Sequence, residues 1–116
     1  MKDIESWLRV HEEEAIETLK AFCRLPSVST DPAFTSDIRR TAEFTASLLE
    51  KAGFPSVEII ETNGHPIIVG EWCDAPGAPT ILIYGHYDVQ PPDPWNNCHS
   101  RPLEPGIATD GLYAVL

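Results

Sequence analysis

Residues Gly85-His86-Tyr87-Asp88-Val89-Gln90 place an imidazole and a carboxylate two positions apart, directly after a short apolar run. In an extended segment side chains alternate in direction, so His86 and Asp88 face the same side. A carboxylate there can accept one imidazole N–H, which fixes the tautomer and turns the other ring nitrogen toward a metal ion. Gly85 lets the backbone bend sharply or approach a neighbour closely. If the preceding run is a strand of an α/β sheet, the pair stands at its carboxyl end, where the loops diverge and leave a crevice for ligands. A surface loop with a chance His–Asp hydrogen bond has the same spacing, and the residues alone leave both readings open.

The remaining residues able to do chemistry read more simply. Cys98 and His99 are adjacent, so in an extended chain they point opposite ways, and structural zinc sites use wider spacings. His65, before Pro66, reads as a turn residue rather than a ligand. His11 lies beside Glu12, Glu13 and Glu14 and reads as a solvated surface residue. Neither Cys23 nor Cys73 has the His and Asp pattern of a nucleophile, and Cys23 falls on an apolar helix face as a core residue. Trp95, set among prolines, reads as part of a rigid loop near the mouth of the site.

The elements that must position His86 and Asp88 follow from hydrophobic period. Ile4, Trp7, Leu8, Ala15, Leu19, Phe22 and Cys23 recur at spacings of three and four, which predicts a helix over residues 3–24. Pro26 ends it at or before Leu25. Residues 27–34 are expected to form a loop. A second helix is expected over 36–52, with Ile38, Ala42, Thr45, Leu49 and Ala52 as its stripe, Asp37 near its positive end and Gly53 at its C-terminal cap. Alternation at 57–61, the turn signal Thr62-Asn63-Gly64 and the apolar stretch 66–72 predict an antiparallel hairpin. Thr80-Ile81-Leu82-Ile83-Tyr84 reads as a strand covered on both faces. Asp110-Gly111 is a turn signal, and a further strand is expected over 112–116. Two helices followed by a mixed set of strands predict an α/β fold.

With 116 residues the chain is long enough for one small domain, and 42% apolar with 22% charged residues is ordinary for a globular protein. A formal charge of −10 with eight Lys and Arg spread along the chain argues against nucleic acid and anionic membrane surfaces as partners. No run of about 18 apolar residues is available to span a membrane. Residues 1–5 lack the features of a secretory signal, and three cysteines without framework spacing suit a reducing compartment, so the expected location is the cytoplasm.

The stretch Ile81-Leu82-Ile83-Tyr84-Gly85-His86-Tyr87-Asp88-Val89-Gln90-Pro91-Pro92-Asp93-Pro94-Trp95 resembles the signature of the di-zinc metallopeptidases related to carboxypeptidase G, aminoacylase and carnosine dipeptidase. Tyr84 before the glycine and Val89-Gln90-Pro91 after the aspartate are most similar to its dipeptidase branch. Leu25-Pro26-Ser27-Val28-Ser29, Asn63-Gly64-His65-Pro66, Arg101-Pro102-Leu103-Glu104-Pro105 and Asp110-Gly111-Leu112-Tyr113 also match, so the resemblance runs over most of residues 15–113. It implies that His86 is the first zinc-binding histidine and Asp88 the catalytic carboxylate that orients it. It implies two zinc ions in the intact enzyme, with manganese or cobalt accepted by the same donors. The implied substrate is a small peptide or an N-acyl amino acid.

In that family the Asp-Gly-x-x-Tyr pattern is followed by Gly-Arg-Gly and an aspartate that bridges the two ions. Here Tyr113 is followed by Ala114-Val115-Leu116. The resemblance therefore implies that residues 1–116 are the N-terminal portion of an α/β/α catalytic domain, through truncation, a shifted reading frame near residue 114 or an incomplete gene model. The rest of that domain and the dimerisation domain would lie outside, and homodimers would belong to the full-length enzyme. Such a chain is expected to be inactive alone: zinc needs three or four protein ligands, and a glutamate must accept the proton of the attacking water. Apolar faces that the missing part would cover are expected to be partly exposed. A non-catalytic remnant that binds a partner is the alternative expectation.

Overall fold

The computed structural model describes residues 2–92, 101–108 and 111–113. It divides into two compact units, residues 1–25 with 91–116, and residues 26–90. Three helices and small antiparallel sheets give the α/β arrangement expected.

In the first unit the single helix expected over 3–24 is two, α1 (Lys2–Val10) and α2 (Glu12–Cys23). His11 breaks it. Its Nδ1–H donates to the Trp7 carbonyl at 2.8 Å, competing with its own backbone N–H at 3.1 Å for the same oxygen. The ring also stacks on Trp7, with centroids 4.1 Å apart. A side chain that enters the i to i+4 ladder in this way bends a helix. His11 is thus half-buried rather than a freely solvated residue, which corrects the sequence expectation. Glu12, Glu13 and Glu14 fill the first turn of α2, where the helix dipole favours anions. Ile4, Trp7 and Leu8 on the expected apolar stripe are exposed, whereas Cys23 at its far end is buried. Strands β1 (Ser56–Ile60) and β2 (Ile67–Glu71) belong to the second unit. The first contains β3 (Gly106–Ala108) and β4 (Gly111–Tyr113), antiparallel, with Ile107 opposite Leu112. The strand expected over 112–116 is thus present from Gly111 to Tyr113; the rest of it, and the start of the Asp110-Gly111 turn, lie outside the described residues.

The second unit is built on α3 (Thr35–Lys51), close to the helix expected over 36–52. Asp31 precedes it and accepts the Ala33 N–H at 2.9 Å, organising a 3-10 turn, Pro32–Phe34, inside the expected loop. The buried face of α3 is Ile38, Thr41, Ala42 and Ala46, so the stripe is rotated from the expected one and Ala52 is exposed. Thr41 is tolerated there because its hydroxyl donates to the Asp37 carbonyl at 2.7 Å. The helix ends in a left-handed cap: Gly53 has φ +91, its N–H reaches the Glu50 carbonyl, and the Phe54 N–H reaches the Leu49 carbonyl. These two bonds are those of a Schellman motif.

β1 and β2 pair in antiparallel register, Val57 opposite Gly70 and Ile59 opposite Ile68, as the hairpin reading required. Those four face α3, and the intervening Glu58, Ile60, Ile67 and Val69 are exposed. Gly70 is a close-approach position, since a Cβ there would stand 3.1 Å from both Leu49 and Phe54. The connecting loop is closed by Thr62, whose hydroxyl accepts the Gly64 N–H at 2.9 Å and donates to the His65 carbonyl at 2.8 Å.

Thr80 to Tyr84 departs from expectation. The segment carries no strand pairing among the described residues, and Ile81, Leu82, Ile83 and Tyr84 are 81–91% exposed rather than covered on both faces. An unbroken apolar run signals surface that wants cover, and cover needs neighbouring strands. The described pairings are antiparallel except for one isolated parallel bridge, Val28 with Val89. No described helix is long and apolar enough to cross a membrane.

Candidate metal-ligand site

The bridge between Val28 and Val89 is the start of the site. Pro26 stops the chain from continuing as helix, and the extended residues after it run alongside 87–89. The Val89 N–H donates to the Ser27 carbonyl at 2.9 Å, and the Ser27 hydroxyl donates to the Tyr87 carbonyl at 2.8 Å. Ser27 and Val28 are each 2% exposed, so the carbonyl and the hydroxyl of this serine are both used where water does not reach. From the other side, the Tyr87 hydroxyl donates to the Pro66 carbonyl at 2.7 Å, and His65 Nε2–H donates to the Ser29 carbonyl at 2.8 Å. Three stretches of one unit, 27–29, 65–66 and 87–89, are thereby tied in a triangle.

His86 and Asp88 emerge from that triangle on one side, as their spacing predicts. His86 Nδ1 lies 3.0 Å from Asp88 Oδ1 and 3.1 Å from the Asp88 backbone carbonyl. Both oxygens only accept, so Nδ1 carries the proton and a neutral ring keeps its lone pair on Nε2. Nε2 has no partner among the described residues, and the side chain is 74% exposed. The second carboxylate oxygen, Asp88 Oδ2, accepts the Ser29 hydroxyl at 2.6 Å. That bond is the main cause holding the Asp88 carboxyl below the usual carboxylate range; partial burial opposes it and the His86 contact adds to it. Burial, followed by the neighbouring Asp88 charge, pushes the Tyr87 phenol up. Arg39 pairs with Glu43 at 3.0 Å and with Glu61 beside the hairpin turn, and those acceptors raise its already high affinity for its proton.

The donor set suits a first-row divalent metal: an imidazole nitrogen with its tautomer fixed by a carboxylate, presented to solvent. No group of three or more His, Cys, Asp and Glu able to hold an ion occurs among the described residues. The structure brings His65 near the pair through Ser29, as a hydrogen-bonding turn residue. Cys23 is buried and unpaired, and Cys73 is exposed and unpaired. Cys98, His99 and Trp95 lie outside the described residues.

Relatives place this geometry in a family. Over 88 residues the chain is 32% identical to the Cys-Gly metallodipeptidase DUG1 of Candida albicans, covering 66% of this chain and 18% of that protein. It is 34% identical over 83 residues to succinyl-diaminopimelate desuccinylase of Xylella fastidiosa, covering 71% and 21%. It is 28% identical over 105 residues to human Beta-Ala-His dipeptidase, covering 80% and 21%. The chain belongs to this metallodipeptidase family. The fold matches part of the solved structure of the di-peptidase Dug1p from Saccharomyces cerevisiae, with TM-score 0.79 over 89% of this chain and 24% of that one, at 24% identity. No protein-family model matches the chain. The chain spans about a fifth of the length of the curated metallodipeptidase relatives it matches.

The sequence pointed to His86 and Asp88 as the candidate pair but not to Ser29, Ser27, Tyr87 and His65 as the residues that hold them. A signal was present for all four, since Ser27 and Ser29 lie in Leu25-Pro26-Ser27-Val28-Ser29, His65 in Asn63-Gly64-His65-Pro66 and Tyr87 in the stretch 81–95, matching stretches in which none of the four had a role in holding the pair.

Proposed function

We propose that this chain is the N-terminal portion of the catalytic domain of a metal-dependent hydrolase that cleaves the amide bond of dipeptides. The observation that carries the reading is the Nδ1 contact of His86 with Asp88, which leaves Nε2 bare and exposed, in a chain related to metallodipeptidases. His86 is the metal ligand and Asp88 the residue that holds its Nδ1 proton and ring orientation. Zinc is the metal, two ions in the whole enzyme, and manganese or cobalt fit the same donors. When bound, such an ion polarises the scissile carbonyl and lowers the pKa of water to about 7. The named activities of two relatives are dipeptide cleavage, which puts Cys-Gly and β-Ala-His ahead of N-acylated amino acids as substrates.

The described residues contribute one ligand, so the further ligands and the general base come from outside them. On this proposal the 116 residues alone are inactive, and homodimer formation belongs to a longer enzyme. The cytoplasm is the proposed location, on the odd and unframed cysteine count.

The test is to sequence the source transcript through the Leu116 codon and several hundred bases beyond, and to assay the longest product on Cys-Gly, β-Ala-His and N-succinyl substrates with zinc, manganese or cobalt. A frame encoding Gly-Arg-Gly followed shortly by Asp, whose product hydrolyses a dipeptide, supports the proposal. If no frame supplies those residues, the enzyme reading gives way to a non-catalytic remnant.

A further inference from the structure

We propose that Ser29 is a positioning residue for the His86–Asp88 pair. The inference rests on the reading of His86 as a metal ligand and extends it to a group 59 positions from Asp88. A carboxylate on an extended segment turns about its Cβ–Cγ bond with little cost, since such torsions are broad rather than confined to sharp wells. A second contact is what selects one orientation. Asp88 has it: Oδ2 takes the Ser29 hydroxyl at 2.6 Å while Oδ1 faces His86 Nδ1 at 3.0 Å, so the carboxylate is gripped at both oxygens and its plane is set.

The grip is itself anchored. The His65 Nε2–H donates to the Ser29 carbonyl at 2.8 Å, and the preceding residues are zipped to 87–89 through Ser27 and Val28. Ser29 therefore cannot follow Asp88 if the carboxylate swings; it holds the acceptor in place. The Asp88 backbone carbonyl, 3.1 Å from Nδ1, is a second and uncharged acceptor for the same proton. Charge-assisted hydrogen bonds are roughly twice as strong as neutral ones, so the carboxylate contact is the larger determinant of where the ring proton sits.

The experiment reads the His86 ring directly, in the metal-free chain. Nitrogen-15 chemical shifts of the two ring nitrogens, recorded at a pH where the ring is neutral, report the tautomer. In the wild-type chain the Nδ1–H form should predominate. In Ser29→Ala the ratio of Nδ1–H to Nε2–H should fall several-fold, and Ser29→Thr, which restores a hydroxyl, should recover it. An unchanged ratio in a Ser29→Ala chain with native amide dispersion overturns the proposal, as does failure of threonine to rescue a well-folded chain. Should the alanine variant lose its native spectrum, the wild-type Ser29 hydroxyl proton decides. Exchange with water much slower than that of exposed Ser36 supports the proposal, and exchange as fast as Ser36 overturns it. Because no metal enters the measurement, absence of zinc binding would remove the ligand reading of His86 while the Ser29 result stood.

Discussion

The Tyr87 hydroxyl donates a 2.7 Å hydrogen bond to the carbonyl of Pro66, 21 residues earlier in the chain. Tyr87 sits between the two site residues, so its side chain points away from them and ties their backbone to the hairpin loop. Replacing Tyr87 by Phe leaves the ring and removes this bond, at a cost of about 1 kcal/mol. The Val89 amide, which donates to Ser27, should then exchange with solvent about fivefold faster, whereas amides in the middle of α3 should be little changed. Equal acceleration throughout residues 26–90 would contradict a local role for the tyrosine.

The cap of α3 offers a second test. Gly53 has φ +91, a backbone conformation that disfavours any residue with a Cβ, although nothing lies within 4 Å of where that Cβ would be. Gly53→Ala should therefore destabilise the helix end by about 1 kcal/mol through backbone strain alone. Hydrogen exchange of the Gly53 and Phe54 positions measures it. An unchanged rate would show that the cap relaxes without cost.

The buried thiol of Cys23 gives the pH dependence. Burial raises its pKa, so the folded chain prefers the protonated form. The stability this contributes is fully present below the unfolded-state value of about 8.5 and is lost as pH rises through the higher folded value. In a Cys73→Ser, Cys98→Ser chain, alkylation by iodoacetamide should follow a pH profile displaced upward relative to the same chain in urea. Coincident profiles would show that Cys23 is not shielded in solution.

Metal affinity should register Asp88 as well as His86. Outer-shell partners of metal-bound histidines typically contribute about 10–100-fold in affinity. Asp88→Asn, assayed in the longest product of the gene by competition with a zinc chelator, should weaken binding by a factor in that range, and His86→Ala should weaken it further. Unaltered affinity in both variants would place the metal elsewhere.

Much of the local structure was legible in the sequence because it depends on period. Alternation in an extended chain put His86 and Asp88 on one side, and the 3.6-residue repeat located α3 and, as one helix, α1 and α2. The break at His11 was not legible, because it arises from a side-chain N–H competing for the Trp7 carbonyl, and the spacing of apolar residues carries no record of that. The roles of Ser29 and His65 were hidden for another reason: a serine reads as loop material until the carboxylate 59 positions away is known to face it. The expected strand at Thr80–Tyr84 failed because composition reports a need for cover and says nothing of whether neighbours meet it.

His86 and Asp88 are two residues apart, yet their geometry depends on contacts that close loops of 21, 36, 59 and 60 positions. The entropy of closing a loop rises only slowly with its length, so once the longest is shut the others add little further cost. The clamp should then form in one cooperative step late in folding, after helix and hairpin have assembled on microsecond timescales. A single imidazole proton becomes a reporter of chain topology: its residence on Nδ1 marks the moment at which the two ends of residues 26–90 have met.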